Sequence, residues 1–170
     1  IMSCAGALCT ISMATSATHL LRTAKTIFCG SADAAGDGEG TPGMGGYFHG
    51  FLWRVPLPGT LSELMHITAW ETLATVVNIF IGARLAGETA LLALRMDALV
   101  TPYAISSQHS SSIDIQNILH RLLEERDYQH DIAKRLLLEH LGGDMNVPAD
   151  LTSRGLWPQL AEVGAVLGVR

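Results

Sequence analysis

The chain has 170 residues, of which 48% are hydrophobic and 16% charged. It is one domain of ordinary size with apolar material for a core, which excludes a disordered or low-complexity chain. Its formal net charge of −5 excludes a free-standing nucleic-acid binder that grips phosphates through its own basicity.

Cys4, Cys9 and Cys29 form no C-x-x-C pair. Neither a disulfide framework nor a zinc site is indicated, and a reducing, intracellular setting is expected. The first residue is Ile, as expected for a segment of a longer polypeptide. Residues 1–21 lack Lys, Arg, Asp and Glu. They are rich in Ser, Thr and Ala, weakly apolar and without a basic start. Residues 1–25 therefore read as a flank rather than a targeting signal or a membrane span.

Thr26 to Asp33, T-I-F-C-G-S-A-D, reads as a short apolar strand ending in a carboxylate. Gly36 to Gly46 is glycine-rich and reads as a loop; no G-K-S/T follows, so it is not a phosphate-cradling loop. Tyr47 to Val55 reads as a hairpin with its turn near Gly50, closed by Pro56, Pro58 and Gly59. Together these predict an antiparallel three-strand meander. Thr60-Leu61-Ser62-Glu63 has the T-x-x-E form of a capping box, so a helix is expected from there to Leu85, with Gly87 just past its end. Leu64, Ile67, Ala74 and Ile81 share one helical face with Glu71 and Asn78, which turns Glu71 towards the sheet.

Thr89 to Met96 is a continuous apolar run of the kind found in central strands, and Asp97 ends it. Ser106 to Ser112 reads as a polar loop, with Ser111 able to cap a helix carrying Asp114 in its first turn. Ile115, Ile118, Leu119, Leu122 and Leu123 give that helix an apolar stripe. Lys134 to Leu141 reads as another strand and Gly142 to Val147 as a loop. Pro148 suits the first turn of a short helix that carries Asp150 and ends at Gly155. Trp157 and Pro158 are expected to pack back on the core, with residues 159–170 as a tail. The expected fold class is α/β: a mixed five-stranded sheet with helices on both faces.

Asp33, Glu71, Asp97 and Asp150 stand out. Three of them lie in or beside apolar segments, where an isolated carboxylate is expensive to bury and a shared cation is the usual remedy. Each has an ordinary reading alone: a strand-end turn for Asp33, an ion pair across a helix–sheet contact for Glu71, a helix cap for Asp97, a first-turn dipole partner for Asp150. The set is what points to a hard-metal site and to phosphate chemistry. Glu63, Glu124, Glu125, Asp127 and Asp131 read as capping or solvated residues. His19, His49, His66, His109, His120 and His130 lack ligand spacing.

Residues Thr26 to Trp157 resemble the ribonuclease H domain of reverse-transcribing elements, the kind found downstream of reverse transcriptase in retrotransposon polyproteins. S-A-D-A-A-G with G-M-G-G-Y-F resembles the first strand and hairpin of that family. I-T-A-W-E-T-L-A resembles its first helix, and L-A-L-R-M-D its next catalytic strand. E-H-L-G-G-D-M-N-V-P-A-D-L-T-S-R, with His140, Asn146, Asp150 and the terminal Ser153-Arg154, resembles its closing motif and is the most specific piece. The loop from Gly36 to Gly46 is longer and more acidic than that pattern, with Asp37 and Glu39 close to the expected site. A-L-V-T-P-Y-A after Asp97 is more apolar.

The resemblance implies a ribonuclease H-like domain over residues 26–158, an antiparallel meander plus two parallel strands. It implies cleavage of the RNA strand of RNA–DNA hybrids with two Mg2+ or Mn2+ ions. Asp33 would bridge both ions, Asp150 would hold the ion that activates water, and Glu71 and Asp97 the ion at the leaving 3′-oxygen. Glu71 would also face a ribose 2′-hydroxyl. His140 would move protons or aid product release, and Asn146 would help shape the site and bind substrate. The implied partners are the hybrid and an adjoining reverse transcriptase domain, with no membrane. Tethering to that domain would supply the affinity the acidic chain lacks. Two rival readings are a catalytically degenerate domain with a structural or interaction role, and a DNA-cutting nuclease of transposase or integrase type. The A-D-L-T-S-R ending argues against the second.

Overall fold

The computed structural model describes residues 26–36, 38–59 and 63–166. Three strands open the described chain: β1 (Ile27–Ala35), β2 (Gly43–Phe48) and β3 (Phe51–Pro56). After α1 (Ile67–Ala86) come β4 (Leu91–Met96), α2 (Val100–Ser107), α3 (Ile113–Glu124), α4 (Arg126–His130), β5 (Leu136–His140), α5 (Val147–Arg154) and α6 (Trp157–Val166). The sheet order is β3-β2-β1-β4-β5. The β1–β2 and β2–β3 pairs are antiparallel, and the β1–β4 and β4–β5 pairs are parallel. This is the mixed sheet that the resemblance implies, with β1 at its centre.

The twofold period of a strand decides which helix sees which residue. Ala32 and Ala34 of β1 pair with Gly46 and Met44, and Gly30 pairs with Phe48. This face carries the core: Phe48, Leu92, Leu94 and Met96 pack with Val76 and Ile79 of α1 and with Ile115, Leu119 and Leu122 of α3. Gly82 lets α1 settle onto the sheet, since a Cβ there would stand 2.5 Å from the Phe48 ring. The opposite face, with Ser31 and Asp33, is covered by α5. A buried bridge ties α1 to the meander: Trp53 Nε1 donates to Asn78 Oδ1 at 2.8 Å, and Asn78 Nδ2 donates to the Ser31 carbonyl at 3.1 Å.

Several boundaries differ from the sequence expectation. β2 starts at Gly43, inside the expected glycine loop. Its glycines serve close backbone approach, a use of glycine in strands that a loop reading overlooks. Thr60, Leu61 and Ser62 of the expected capping box lie outside the described residues. Glu63 to Met65 form turns and bends, and Leu64 is 68% exposed instead of joining the buried face. The helix starts at Ile67, capped by His66, whose Nδ1 accepts from Thr68 N at 3.3 Å. Its end, Ala86 followed by Gly87 at φ +71°, lies within a residue of the expected stop.

The run after Asp97 forms helix α2, which was not expected. Pro102 is its third residue, where the missing N–H costs nothing, and Thr101 is buried with its hydroxyl 3.1 Å from that of Thr72. The N-cap of α3 is Ser112 rather than Ser111. β5 begins at Leu136, because Arg135 turns inward to donate to the carbonyls of Gly87 and Ala90. Trp157 does not pack into the core: it is 48% exposed and opens α6, which packs against α5. Among the described residues no helix is long and apolar enough to cross a membrane.

Candidate metal centre

Asp33 lies near the C-terminal end of β1 and is 5% exposed. Two residues beyond the parallel pair Ser31↔Arg95 lie Asp33 on β1 and Asp97 just past β4. Equal steps along parallel strands keep the two acids level and on one face. Glu71 comes from the start of α1, five residues into the helix. The three carboxylates each offer an oxygen within 4.8 Å of the other two.

The electrostatics of this trio are unfavourable for three charges. Burial, then the charges of Asp97 and Asp33, push Glu71 up from 4.5 to about 7. Burial also raises Asp33, as do Asp97 and Asp150; the Ser153 hydroxyl and the Ala34 N–H pull the other way without winning. Asp97 Oδ1 is buried and has no hydrogen-bond partner. An orphaned carboxylate oxygen beside two other acids fits a hard dication, which takes oxygen ligands and brings the missing positive charge. Asp33, Glu71 and Asp97 are therefore the residues that could hold it.

The other expected residues stand around the trio differently. Asp150, in the first turn of α5, does not join all three acids within that distance. Its charge reaches Asp33, but its Oδ1 accepts from Arg154 Nε at 2.8 Å. His140 ends β5, is exposed, and has Nε2 3.0 Å from the Asp97 carbonyl oxygen. Asn146, at the N-cap of α5, is fully buried. Its Nδ2 donates to the Ala32 carbonyl at 3.3 Å, and its main-chain carbonyl accepts from the N–H groups of Ala149 and Asp150. It fastens the start of α5 to β1 beside Asp33, which is a positioning task.

The fastening at the other end of α5 was not expected. Gly45 is the partner of Asp33 across the β1–β2 ladder. A Cβ on it would lie 2.6 Å from Ser153 N, so only glycine lets the helix descend this far. Ser153 Oγ then lies 2.6 Å from Asp33 Oδ2 and 2.8 Å from the Asp150 carbonyl oxygen, with one proton for the two. Arg54 of β3 donates from Nε to the Ser153 carbonyl at 3.1 Å and from Nη2 to the Thr41 carbonyl at 2.9 Å. Thr41 N donates to the Arg154 carbonyl at 3.0 Å. Ser153 and Arg154, already marked by the closing motif, stand three and four residues after Asp150 on one helical face, but their contacts were not read from the sequence. Arg54 had no local signal.

No protein-family model and no curated protein sequence matches this chain. Solved structures do. The N-terminal RNase H domain of a Mycobacterium tuberculosis protein, solved as a fusion with maltose-binding protein, superposes with a TM-score of 0.59 at 13% identity, covering 82% of this chain and 99% of that one. RNase H1 from the halophilic archaeon Halobacterium salinarum gives 0.57 at 13% identity, covering 74% and 93%. The fold is that of ribonuclease H. LC11-RNase H1, solved in complex with an RNA/DNA hybrid, gives 0.54 at 12% identity, covering 74% of this chain and 92% of that one. Within the ribonuclease H fold of this chain, the acidic trio lies at the C-terminal ends of the parallel strands β1 and β4, where α/β sheets commonly carry their ligands.

Proposed function

We propose that this domain is a metal-dependent endonuclease that hydrolyses the RNA strand of RNA–DNA hybrids, serving reverse transcription in a retroelement. The observation that carries the reading is the trio Asp33, Glu71 and Asp97, brought together from three elements with a buried, unpartnered oxygen on Asp97. The ribonuclease H fold and the closing A-D-L-T-S-R motif support it. So does the hybrid bound by one structural neighbour.

In this reading Asp33, Glu71, Asp97 and Asp150 would hold Mg2+ or Mn2+, two ions in all. Ions bound there would supply an activated water and neutralise charge at phosphorus and at the leaving oxygen. Asp33 is kept in place by Ser153 and by the Ala34 N–H. His140 is exposed at the rim and anchored to the Asp97 backbone, so it can carry a proton to or from the leaving group. Net hydrolysis adds water across the P–O3′ bond, and the 3′-oxygen leaves with a proton. The charge of −5 suits a domain that borrows substrate affinity from an adjoining reverse transcriptase domain.

The Arg154 grip on Asp150 favours a second reading, a degenerate domain with a structural or interaction role. One experiment separates the two. Hybrid, single-stranded RNA and duplex DNA are offered to the protein with Mg2+, with Mn2+ and with chelator. The nuclease reading expects metal-dependent RNA cleavage in the hybrid alone, abolished by Asp33→Asn. Equal cutting of duplex DNA, or no cutting together with no metal binding, would refute it.

A further inference from the structure

Helix α1 has two charged residues in twenty, Glu71 and Arg84, and is apolar around its whole circumference. A helix of that kind is normally buried on every side. Here α1 packs on β1 and β2, and its outer side is left half open. Leu73, Val77, Phe80 and Ile81 are half-buried, and Leu85 is 49% exposed. Two apolar grooves meet there at Phe80. One, of about 400 Å³, runs between α1 and the edge strand β3, against Phe51 and Trp53. The other, of about 350 Å³, lies between α1 and α3 and is floored by Met65, Leu73, Val76 and Leu122. Contiguous apolar surface of this kind marks an interaction site.

The wall that α3 lends to the second groove carries the occupant's chemistry. Asp114, Asn117, Ile118 and Arg121 all line it. They follow the i, i+3, i+4, i+7 spacing of one helical stripe. The order is acid, amide, aliphatic, base, symmetrical in position about a point between Asn117 and Ile118. An antiparallel copy of the same helix, related by a twofold axis at that point, sets Asp114 against Arg121 of the second copy, and does so twice. We propose that this face joins two copies of the chain, α3 against α3, with the second copy closing the groove beside α1. Such self-complementarity is what a twofold interface requires. The inference is independent of the nuclease reading.

The charges suit that use. Asp114 makes no ion pair among the described residues. Arg121 Nη1 lies 3.0 Å from Glu124 Oε2, but these side chains are 85% and 65% exposed, and such a surface pair contributes little. Asp114 and Glu125 are balanced along the two grooves by Arg121 and Arg84, so the face offers a polyanion no net attraction.

The test is sedimentation equilibrium of the whole chain from about 5 to about 200 µM, a range that covers a weak interface. The mass should rise with concentration from 18.2 kDa towards twice that value. Asp114→Arg and Arg121→Asp each bring like charges together twice and should weaken the dimer at least about ten-fold. Mixed in equal amounts, the two variants should recover wild-type association, because in the mixed pair each position 114 meets a position 121 of opposite sign. Asn117→Lys should disrupt the dimer from the axis with both charges in place. At low concentration every variant should melt within a few degrees of the wild type. A wild type that keeps the monomer mass throughout refutes the proposal and leaves the face to a different protein. A dimer that tolerates both single reversals, or a mixture that fails to recover, refutes the contact of α3 with α3.

Discussion

Glu71 should make the metal-free protein lose stability as the pH rises, and the size of the loss can be worked from the structure. Its carboxyl is held at about 7 against an ordinary 4.5, first by burial and then by the charges of Asp97 and Asp33. Between those values the folded state binds more protons than the unfolded state. The contribution is therefore complete below 4.5 and is lost as the pH rises through about 7. At about 1.36 kcal/mol per pH unit the interval is worth about 3 kcal/mol. Glu71 is only half-buried, and solvent screening cuts the figure to about 1–2 kcal/mol. Asp33, also raised, adds a loss of the same sign. Urea unfolding in chelator at pH 5 and pH 8 measures the slope. Glu71→Gln should flatten it and, at pH 8, should exceed the wild type in stability by about 1–2 kcal/mol, or about 2–8 °C in Tm. Mg2+ should reverse the wild-type trend, since it binds the folded, deprotonated site. A wild type that gains stability from pH 5 to pH 8 without metal, or a variant that keeps the wild-type slope, would show that the acids do not repel one another as described.

Three further outcomes follow from the same geometry. Asp33→Asn should remove the Mg2+-induced rise in Tm and lower hybrid cleavage by on the order of 10³-fold, read by scanning calorimetry and by gel assay. Gly45→Ala places a methyl 2.6 Å from Ser153 N, so α5 must lift; a loss of about 1–3 kcal/mol in urea unfolding, with weaker Mn2+ binding, is expected. The isolated domain, carrying −5, should bind hybrid weakly and lose that binding as salt rises, checked by fluorescence anisotropy; tight, salt-insensitive binding would contradict the tethering argument.

Much of the architecture was legible because its signals are local. The apolar runs before Asp33 and Asp97, the turn at Gly50 and the stripe from Ile115 to Leu123 each announce their element within a few residues. The start of α1 at Ile67, capped by His66, had no strong sequence signal, because a histidine ring is an uncommon cap. Gly43 to Gly46 was read as a loop because glycine marks freedom in a sequence. In the structure these glycines mark closeness, and for Gly43 and Gly45 it depends on α5, more than 100 residues away. The same distance hid Arg54 and the burial of Asn146. Their partners are main-chain carbonyls, which every residue has and no sequence pattern displays. The trio was legible as residue types, whereas the hold of Arg154 on Asp150 required the helix to be seen in place.

The bond from Ser153 to Asp33 joins residues 120 positions apart, and it has a consequence for biogenesis. The ribosome delivers Asp33 early and the helix that braces it late. A nascent or prematurely terminated chain can build the central strands and still lack Asp150, Ser153 and Arg154. Under the proposed function, the site would be complete only once α5 has been made.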